Sequence, residues 1–313
     1  MRVTALAGGI GAGKFLRGLV RAVPPSDVTA IVNTGDDITM HGLHVSPDLD
    51  SVTYWLGNVF DRGRGWGRRE ETFRATEELR RLDPELAWFN LGDLDLATHL
   101  FRSNLLEAGA TLSEATARVA ARFGVGARVL PMSDDPVTTR VTVVSDGEQL
   151  DLHFQEYWVR RGARDEVKGV RYEGADRAAP APGVLGAIAR AEAVVLCPSN
   201  PVASIGPILA VPGIRRAVAG RRSEVVGISG IVGGAPLSGM ADKLMPVAGV
   251  EVTAAGAAEF YRGLVGAWVI DEADRALRAR IEAAGVRVGV TDTIMTDDAA
   301  AEALARFGLG LLG

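Results

Sequence analysis

The stretch LAGGIGAGKFLRGLV, residues 6–20, joins a short apolar segment to an amphipathic helical pattern through a glycine-rich turn. The apolar segment is RVTALA, residues 2–7, and a second one, DVTAIVN, follows the helical pattern at residues 27–33. A strand, a helix and a second strand in this order predict two parallel strands joined by a crossover helix. The start of the chain therefore predicts an α/β protein with helices on both faces of a parallel sheet.

The glycine-rich turn matches two phosphate-binding patterns in part and neither completely. A P-loop needs Ser or Thr after its Gly-Lys pair to bind Mg²⁺, but Phe15 follows Lys14 here. A dinucleotide-binding turn needs a third glycine after Gly9 and Gly11, but Lys14 stands at that position. Gly9, Gly11 and Gly13 still allow a tight turn that brings backbone N–H groups close to an anion. The alternative is that these glycines only permit close packing.

Carboxylates cluster directly after the second predicted strand. The segment NTGDD contains Asp36 and Asp37, and SPDLDSV adds Asp48 and Asp50 one short loop later. Ligands of open α/β sheets bind at the carboxyl ends of the strands. Two carboxylates from adjacent loops suit Mg²⁺, which shares its coordination with substrate phosphates. Helix capping and turn formation are the alternative roles for these aspartates.

The segment NLGDLDLATHLFRSN is dense in polar groups. It contains Asp93, Asp95, Thr98, His99 and Arg102, and His99 and Arg102 share a face of the predicted helix because they lie three residues apart. Such a face is suited to holding a polar ligand, and the alternative is a helix cap with an exposed polar face.

The segment PSNPVASIGPIL follows a third predicted strand, AVVLC. Its Ser199, Asn200 and Ser204 offer side-chain hydrogen bonds at a strand end, where a nucleotide is expected. Cys197 is the only cysteine, so an internal disulfide is excluded, which suits a cytoplasmic protein.

Composition excludes several classes of function. The net charge is −5, so the chain lacks the basic bias of a protein that binds nucleic acid or an anionic membrane. No apolar run approaches the length of a membrane span, and the first strand begins too early to leave room for a signal peptide. We expect a cytoplasmic protein.

The middle of the chain does not continue the alternation of strands and helices. Residues 61–182 combine charged helical segments with a predicted β-hairpin, whose arms alternate apolar and polar residues around Asp146 and Gly147. We predict a Rossmann-like, doubly wound, mostly parallel sheet formed by residues 1–60 and 183–313, with residues 61–182 as a mixed helical and hairpin insertion.

Several segments together resemble the 2-phospho-L-lactate transferase family, CofD in archaea and FbiA in actinobacteria, which acts in coenzyme F-420 biosynthesis. They run in order along the chain and include GGIGAGKFLRGL, VNTGDD, SPDLDSVTYWLG, NLGDLDLATHLFRSNLL, LPMSDDPVTTRV, PSNPVASIGPIL and SGMADKLM. The resemblance implies a homodimeric, Mg²⁺-dependent transferase. Its donor is a three-carbon acid linked to guanosine diphosphate, carrying phospholactate, phosphoenolpyruvate or phosphoglycerate. Its acceptor is the ribityl hydroxyl of the deazaflavin FO, and GMP leaves as (dehydro) coenzyme F-420-0 forms.

The resemblance also implies roles for particular residues. The turn containing Gly9, Gly11 and Gly13 would hold the diphosphate. The remaining roles are metal binding by Asp36 and Asp50 with Asp37 and Asp242 in reserve, guanosine contacts by Ser199, Asn200 and Ser204, FO or carboxylate contacts by Asp93, Thr98, His99 and Arg102, and catalysis by Asp50, Asp36 and His99. Asp50→Ala is expected to abolish product formation while leaving the protein folded.

Two other functions remain as alternatives. Gluconeogenesis-factor proteins, which bind nucleotide sugars as regulators without catalysis, share the glycine-rich turn and an NTGDD-like segment. The PDLD and DLATH segments favour the transferase instead. A nicotinamide-dependent oxidoreductase is disfavoured by the incomplete dinucleotide pattern.

Overall fold

The computed structural model describes residues 1–313, apart from the side chain of Leu86. The strands are β1 (Val3–Ala7), β2 (Val28–Val32), β3 (Ile38–Met40), β4 (Leu43–Val45), β5 (Arg128–Pro131), β6 (Thr138–Ser145), β7 (Glu148–His153), β8 (Glu166–Glu173), β9 (Ala193–Leu196), β10 (Val225–Ile228), β11 (Ile231–Val232), β12 (Ala235–Pro236), β13 (Ala267–Asp271) and β14 (Arg287–Thr291). The α-helices are α1 (Gly9–Ala22), α2 (Pro47–Leu56), α3 (Arg74–Leu82), α4 (Asp93–Glu107), α5 (Leu112–Arg122), α6 (Val184–Arg190), α7 (Gly206–Ala210), α8 (Ile214–Ala219), α9 (Ala241–Leu244), α10 (Ala254–Phe260), α11 (Arg278–Glu282) and α12 (Asp298–Gly310).

Seven strands form the central sheet, in the order β14-β13-β10-β9-β1-β2-β5. Every neighbouring pair in this sheet is parallel. From β1 the chain continues outward through β2 to β5, and it later returns to β9 and continues through β10, β13 and β14 on the other side. The α/β, doubly wound, Rossmann-like fold class is confirmed. The strand order reverses between β1 and β9, which is where such sheets bind ligands.

The sheet has a hydrophobic core on each face. Val3, Ala5 and Ala7 of β1 pack into the core beneath α1 and α12, whereas Leu6 packs into the core on the opposite face. Successive side chains of a strand point to opposite faces, so a strand that is apolar throughout is buried on both. Gly18 of α1 lies against the backbone of α12 so closely that a β-carbon would be 2.2 Å from it.

A separate antiparallel sheet, in the order β7-β6-β8, lies within residues 61–182. Its β6–β7 hairpin turns at Asp146 and Gly147, both with positive φ, as the sequence predicts. β5 also falls within residues 61–182, yet it pairs with β2 at the edge of the central sheet. The division into a core and an insertion stays a prediction, and the range given to the insertion includes one strand of the core sheet.

None of the helices in the described part of the chain has both the length and the apolar character that crossing a lipid bilayer requires.

Candidate active site

The carboxyl ends of five strands of the central sheet surround one cavity of about 780 Å³. The lining segments are residues 8–11 after β1, Asp36 after β2, residues 198–201 after β9, residues 230–231 after β10 and residues 293–295 after β14. The cavity therefore lies at the crevice where the strand order reverses. The glycine-rich turn and the acidic loops, which are distant in sequence, share this cavity.

Asp36 and Asp48 form a pair of buried carboxylates in the cavity wall, 3% and 7% exposed. The amide of Asn33 bridges them, since its Nδ2 lies 2.9 Å from Asp48 Oδ2 and 3.4 Å from Asp36 Oδ1. Gln155 Nε2 donates to Asp36 Oδ2 over 2.9 Å. The two carboxylates reach this position because the end of β2 and the start of α2 meet beside α1.

The two carboxylates retain protons more strongly than ordinary aspartates. Burial, followed by the charges of Asp48 and Asp37, raises the pKa of Asp36 well above its ordinary value. Burial also raises the pKa of Asp48 to about 7, although hydrogen bonds from Asn33 and from the backbone of Gly9 oppose the shift. Two buried like charges are unfavourable unless a proton or a cation lies between them. Among the described residues no third His, Cys, Asp or Glu joins this pair as a metal site, so a divalent cation held here would take its remaining ligands from water or from a bound anion.

The elevated pKa of Asp48 predicts how an Asp48→Asn variant will differ in stability from the unaltered protein. An aspartate in the unfolded chain has a pKa of about 3.9, so between about pH 4 and 7 the folded protein binds the additional proton and loses stability as pH rises. The asparagine variant has no such titration. We therefore expect its free energy of unfolding, relative to that of the unaltered protein, to rise by about 2 kcal/mol from pH 5 to pH 8. Urea titrations of metal-free protein measure this difference, and a constant difference over that range would contradict it.

Asp50 lies in the same cavity, but its carboxylate is already paired. Both of its oxygens accept hydrogen bonds from the guanidinium of Arg102, which is 1% exposed, and the Nη1 contact is 3.1 Å. Asp50 is on α2 and Arg102 on α4, so this ion pair joins the two helices. Arg102 does not line the cavity, and it neutralises Asp50 from behind the wall.

His99 lies between two aspartates. Its Nδ1 is 3.5 Å from Asp50 Oδ2 and its Nε2 is 3.5 Å from Asp95 Oδ1. Tyr54 donates to Asp95 Oδ1 over 2.6 Å. Burial tends to raise the pKa of Asp95, but the hydrogen bond and charge of His99 bring it below its ordinary value. His99 is 1% exposed and lines the cavity, with its Nε2 directed at the carboxylate of Asp95.

Glycine is required for different reasons at the three positions of the turn. Gly9 has φ +73° and lines the cavity. Gly11 also lines it, and a β-carbon there would lie 2.3 Å from the carbonyl oxygen of Pro198. Gly13 packs against the ring of Trp55, where a β-carbon would lie 2.2 Å from the ring, and it does not line the cavity. Close packing, the alternative considered from the sequence, therefore explains Gly11 and Gly13, whereas Gly9 is required by its positive φ, and Gly9 and Gly11 both line the cavity.

The serines and the asparagine after β9 line the cavity as a group. Ser199 Oγ donates to the carbonyl of Gly8 over 2.8 Å and so ties this loop to the glycine-rich turn. Asn200 Oδ1 accepts from the backbone N–H groups of Val202 and Ala203. Asn200 thus caps the π-helical turn Pro201–Ile205, and its remaining polar atoms are those left for a ligand.

Other residues predicted from the sequence lie outside the cavity wall. Asp37 Oδ2 accepts from His44 and Ser46, at 2.9 and 2.8 Å. Thr98 is buried on α4 without lining the cavity, and Asp242 is exposed on α9, with Lys243 as its ion-pair partner at 3.8 Å.

Asp93 has a clear structural role. Its carboxylate accepts from Thr72 Oγ1 and from the backbone N–H groups of Arg74 and Ala75, so it caps the start of α3. Glu71 in turn accepts from the first turn of α4. This reciprocal capping fixes the segment between the two helices, and Asp93 does not line the cavity.

Sequence reasoning missed several residues of the site. Asn33, which bridges the carboxylates, lies inside the NTGDD segment, where its position at a strand end was the available signal. Gln155 had no such signal, because it lies 119 residues from its partner Asp36. Trp66, Phe89 and Trp158 add aromatic surface to the cavity and come from three separate segments.

Comparison with known proteins assigns the chain to a family. The family model described as 2-phospho-L-lactate transferase CofD matches residues 3–304. The chain belongs to the CofD family. A phosphoenolpyruvate transferase of Streptomyces griseus is 51% identical to this CofD-family chain, covering 99% of the chain and 98% of that protein. One from Mycolicibacterium smegmatis is 45% identical, covering 100% and 99%. The predicted family and the prediction of a transferase are confirmed.

The fold of the CofD-family chain also occurs in more distant proteins. A crystal structure of a UPF0052-family protein from Bacillus halodurans matches with a TM-score of 0.61 at 17% identity, covering 97% of this chain and 98% of that one. At this identity the similarity shows a shared fold only.

Proposed function

We propose that this transferase moves a phosphoenolpyruvyl group from a guanosine diphosphate-linked donor to the ribityl hydroxyl of FO in coenzyme F-420 biosynthesis. The observation that carries the proposal is the carboxylate pair Asp36 and Asp48 beside the glycine-rich turn, at the crevice where the strand order reverses. The choice of phosphoenolpyruvate among the three acids is supported by the names of the similar Streptomyces and Mycolicibacterium proteins.

The reaction forms one bond and breaks one. The hydroxyl oxygen of FO bonds to the phosphorus nearer the acid, and the bond from that phosphorus to the bridging oxygen breaks, so GMP leaves with the electron pair. Such transfers depend on alignment and on neutralising the developing negative charge. The cavity wall contains four aspartates, and the donor is itself anionic, so a cation is needed there.

Mg²⁺ is the cation that we propose, and Asp36 and Asp48 are the residues that would hold it. When bound, Mg²⁺ neutralises charge on the phosphate oxygens. Asp36 and Asp50 were expected as ligands from the resemblance, whereas the structure favours Asp48 over Asp50 as the partner of Asp36, because Arg102 already neutralises the charge of Asp50. Each oxygen of Asp50 keeps a second lone pair that can accept a proton.

Asp50 and His99 are the groups that we propose to take the hydroxyl proton. Both line the cavity, and Asp50 Oδ2 lies 3.5 Å from His99 Nδ1, so the two act as one unit. The aromatic surface of Trp66, Phe89 and Trp158 provides stacking area for the flat deazaflavin ring of FO. Ser199, Asn200 and Ser204, which follow β9 at the same edge of the sheet, are proposed to contact the guanosine.

Product formation tests the proposal directly. Purified protein is incubated with FO, Mg²⁺ and each of the three guanylyl donors, and GMP and the phosphodiester are separated by chromatography. We expect equimolar products, formed fastest from the phosphoenolpyruvate donor. Absence of the phosphodiester with every donor would exclude the transferase proposal.

Ligand-induced stabilisation distinguishes the regulator alternative. A ligand at about 100 times its Kd stabilises a folded protein by about 2.7 kcal/mol. We expect GDP and FO to raise the melting temperature and uridine diphosphate sugars to leave it unchanged. The opposite preference would favour a nucleotide-sugar-binding regulator.

A further inference from the structure

The cavity wall contains more acidic than basic side chains. Four aspartates line it, and Lys14 is the only lysine or arginine among the described residues of its wall. Each aspartate has a partner within the protein: Asn33 for Asp36 and Asp48, Arg102 for Asp50, and Tyr54 for Asp95. None of the four aspartates lies within 4.0 Å of the lysine, so no ion pair of the cavity wall involves it.

Lys14 has no ionic partner of its own. The chain has three lysines, and Lys168 and Lys243 each lie within 4.0 Å of a carboxylate, from Glu166 and Asp242 respectively. No carboxylate among the described side chains lies that close to Lys14, although Lys14 is half-buried. A lysine of the cavity wall without an ionic partner has its positive charge available for an incoming anion.

Helix α1 places Lys14 on the side of the cavity. Lys14 lies three residues after Gly11 and four after Ile10 on α1, and residues at these separations share a face of a helix. Gly11 and Ile10 both line the cavity. Lys14 thus lies about one helical turn after Ile10 and Gly11, on the side of α1 that faces the cavity. The N-terminal end of a helix attracts anions, so Lys14 adds positive charge near that end.

We propose that Lys14 binds an oxyanion of the guanylyl donor, and this inference rests on the proposed function. Two groups of the donor are oxyanions: the diphosphate and the carboxylate of the three-carbon acid. In either case Lys14 supplies positive charge that the chain itself provides, in addition to the cation held by Asp36 and Asp48. It is a binding residue for the donor and has no part in proton transfer.

Charge removal at Lys14 tests the inference. GDP affinity is measured by calorimetry with Lys14→Gln, Lys14→Arg and the matched surface control Lys168→Gln, and donor KM and kcat are measured in parallel. We expect Lys14→Gln to weaken donor binding on the order of tenfold to a hundredfold, because a charge-assisted contact is lost. Lys14→Arg is expected to recover part of the affinity, and Lys168→Gln to match the unaltered protein.

The two ligands identify which oxyanion is bound. Weaker binding of both GDP and the donor assigns Lys14 to the diphosphate, whereas a higher donor KM with unchanged GDP affinity assigns it to the carboxylate. Unchanged affinity for both ligands in folded Lys14→Gln overturns the inference. If the unaltered protein binds GDP but forms no phosphodiester, the proposed function fails, and calorimetric titrations of GDP and of the donor still decide the role of Lys14. If the unaltered protein does not bind GDP, both fail.

Discussion

Asp48→Asn is expected to lower kcat/KM for the transfer on the order of 10³-fold while stabilising the metal-free protein. The asparagine retains the shape of the side chain and an acceptor for Asn33, but it lacks the second negative charge that a divalent cation requires. The same change removes a like-charge contact with Asp36 in a buried site. Function and stability should therefore change in opposite directions, as is common where binding sites concentrate charge.

Steady-state assays at saturating Mg²⁺ and thermal melts in chelator provide the two measurements. Asp146→Asn is the matched control, because Asp146 lies in the exposed β6–β7 turn, where asparagine also adopts positive φ readily. The control should show neither effect. Near-normal turnover in Asp48→Asn would remove Asp48 from metal binding and return that role to the other aspartates.

Asp50→Ala is expected to destabilise the protein by about 3–5 kcal/mol, in addition to abolishing product formation. The sequence alone led to the expectation of a folded, inactive variant. The structure changes that expectation, because loss of the carboxylate leaves the guanidinium of Arg102 unpaired and 1% exposed. Arg102→Met should show a loss of similar size, since it leaves Asp50 as an unpaired charge at 4% exposure.

The double variant Asp50→Ala, Arg102→Met separates this effect from a general loss of packing. Removing both charges should lower the free energy of unfolding by less than the sum of the two single losses, because no charge is then left buried without its partner. Urea unfolding of the four proteins gives the coupling free energy. Additive losses would show that the two side chains do not stabilise the fold through each other.

The local pattern of the sequence predicted much of the fold. The segment TLSE, residues 111–114, has the sequence pattern of a capping box, and α5 begins with one, since Thr111 Oγ1 accepts from the backbone N–H of Glu114. The β1 and β2 segments and the hairpin turn at Asp146 also form as expected. These features depend on neighbours within a few residues, so the identities of those neighbours determine them.

The candidate site was predictable only in part. The rule that ligands bind at strand carboxyl ends predicts that Asp36, Asp50 and Ser199 lie together, and all three line the cavity. From the sequence, Asp93 was an equally good candidate for ligand binding. In the structure its carboxylate instead caps α3 by accepting hydrogen bonds from Thr72 and Ala75. A polar residue near a site and a polar residue that caps a helix have the same sequence signature, because both need an exposed acceptor at a segment end.

The sequence by itself determined the α/β fold, the family and the presence of a glycine-rich and acidic strand-end site. Tertiary structure decided which carboxylates pair with a cationic side chain and which accept only neutral hydrogen-bond donors. Arg102 neutralises Asp50 from 52 residues away, and Gln155 reaches Asp36 from 119 residues away. Local patterns extend over a few residues, whereas the charge state of a buried aspartate depends on whatever the fold places within about 4 Å of it.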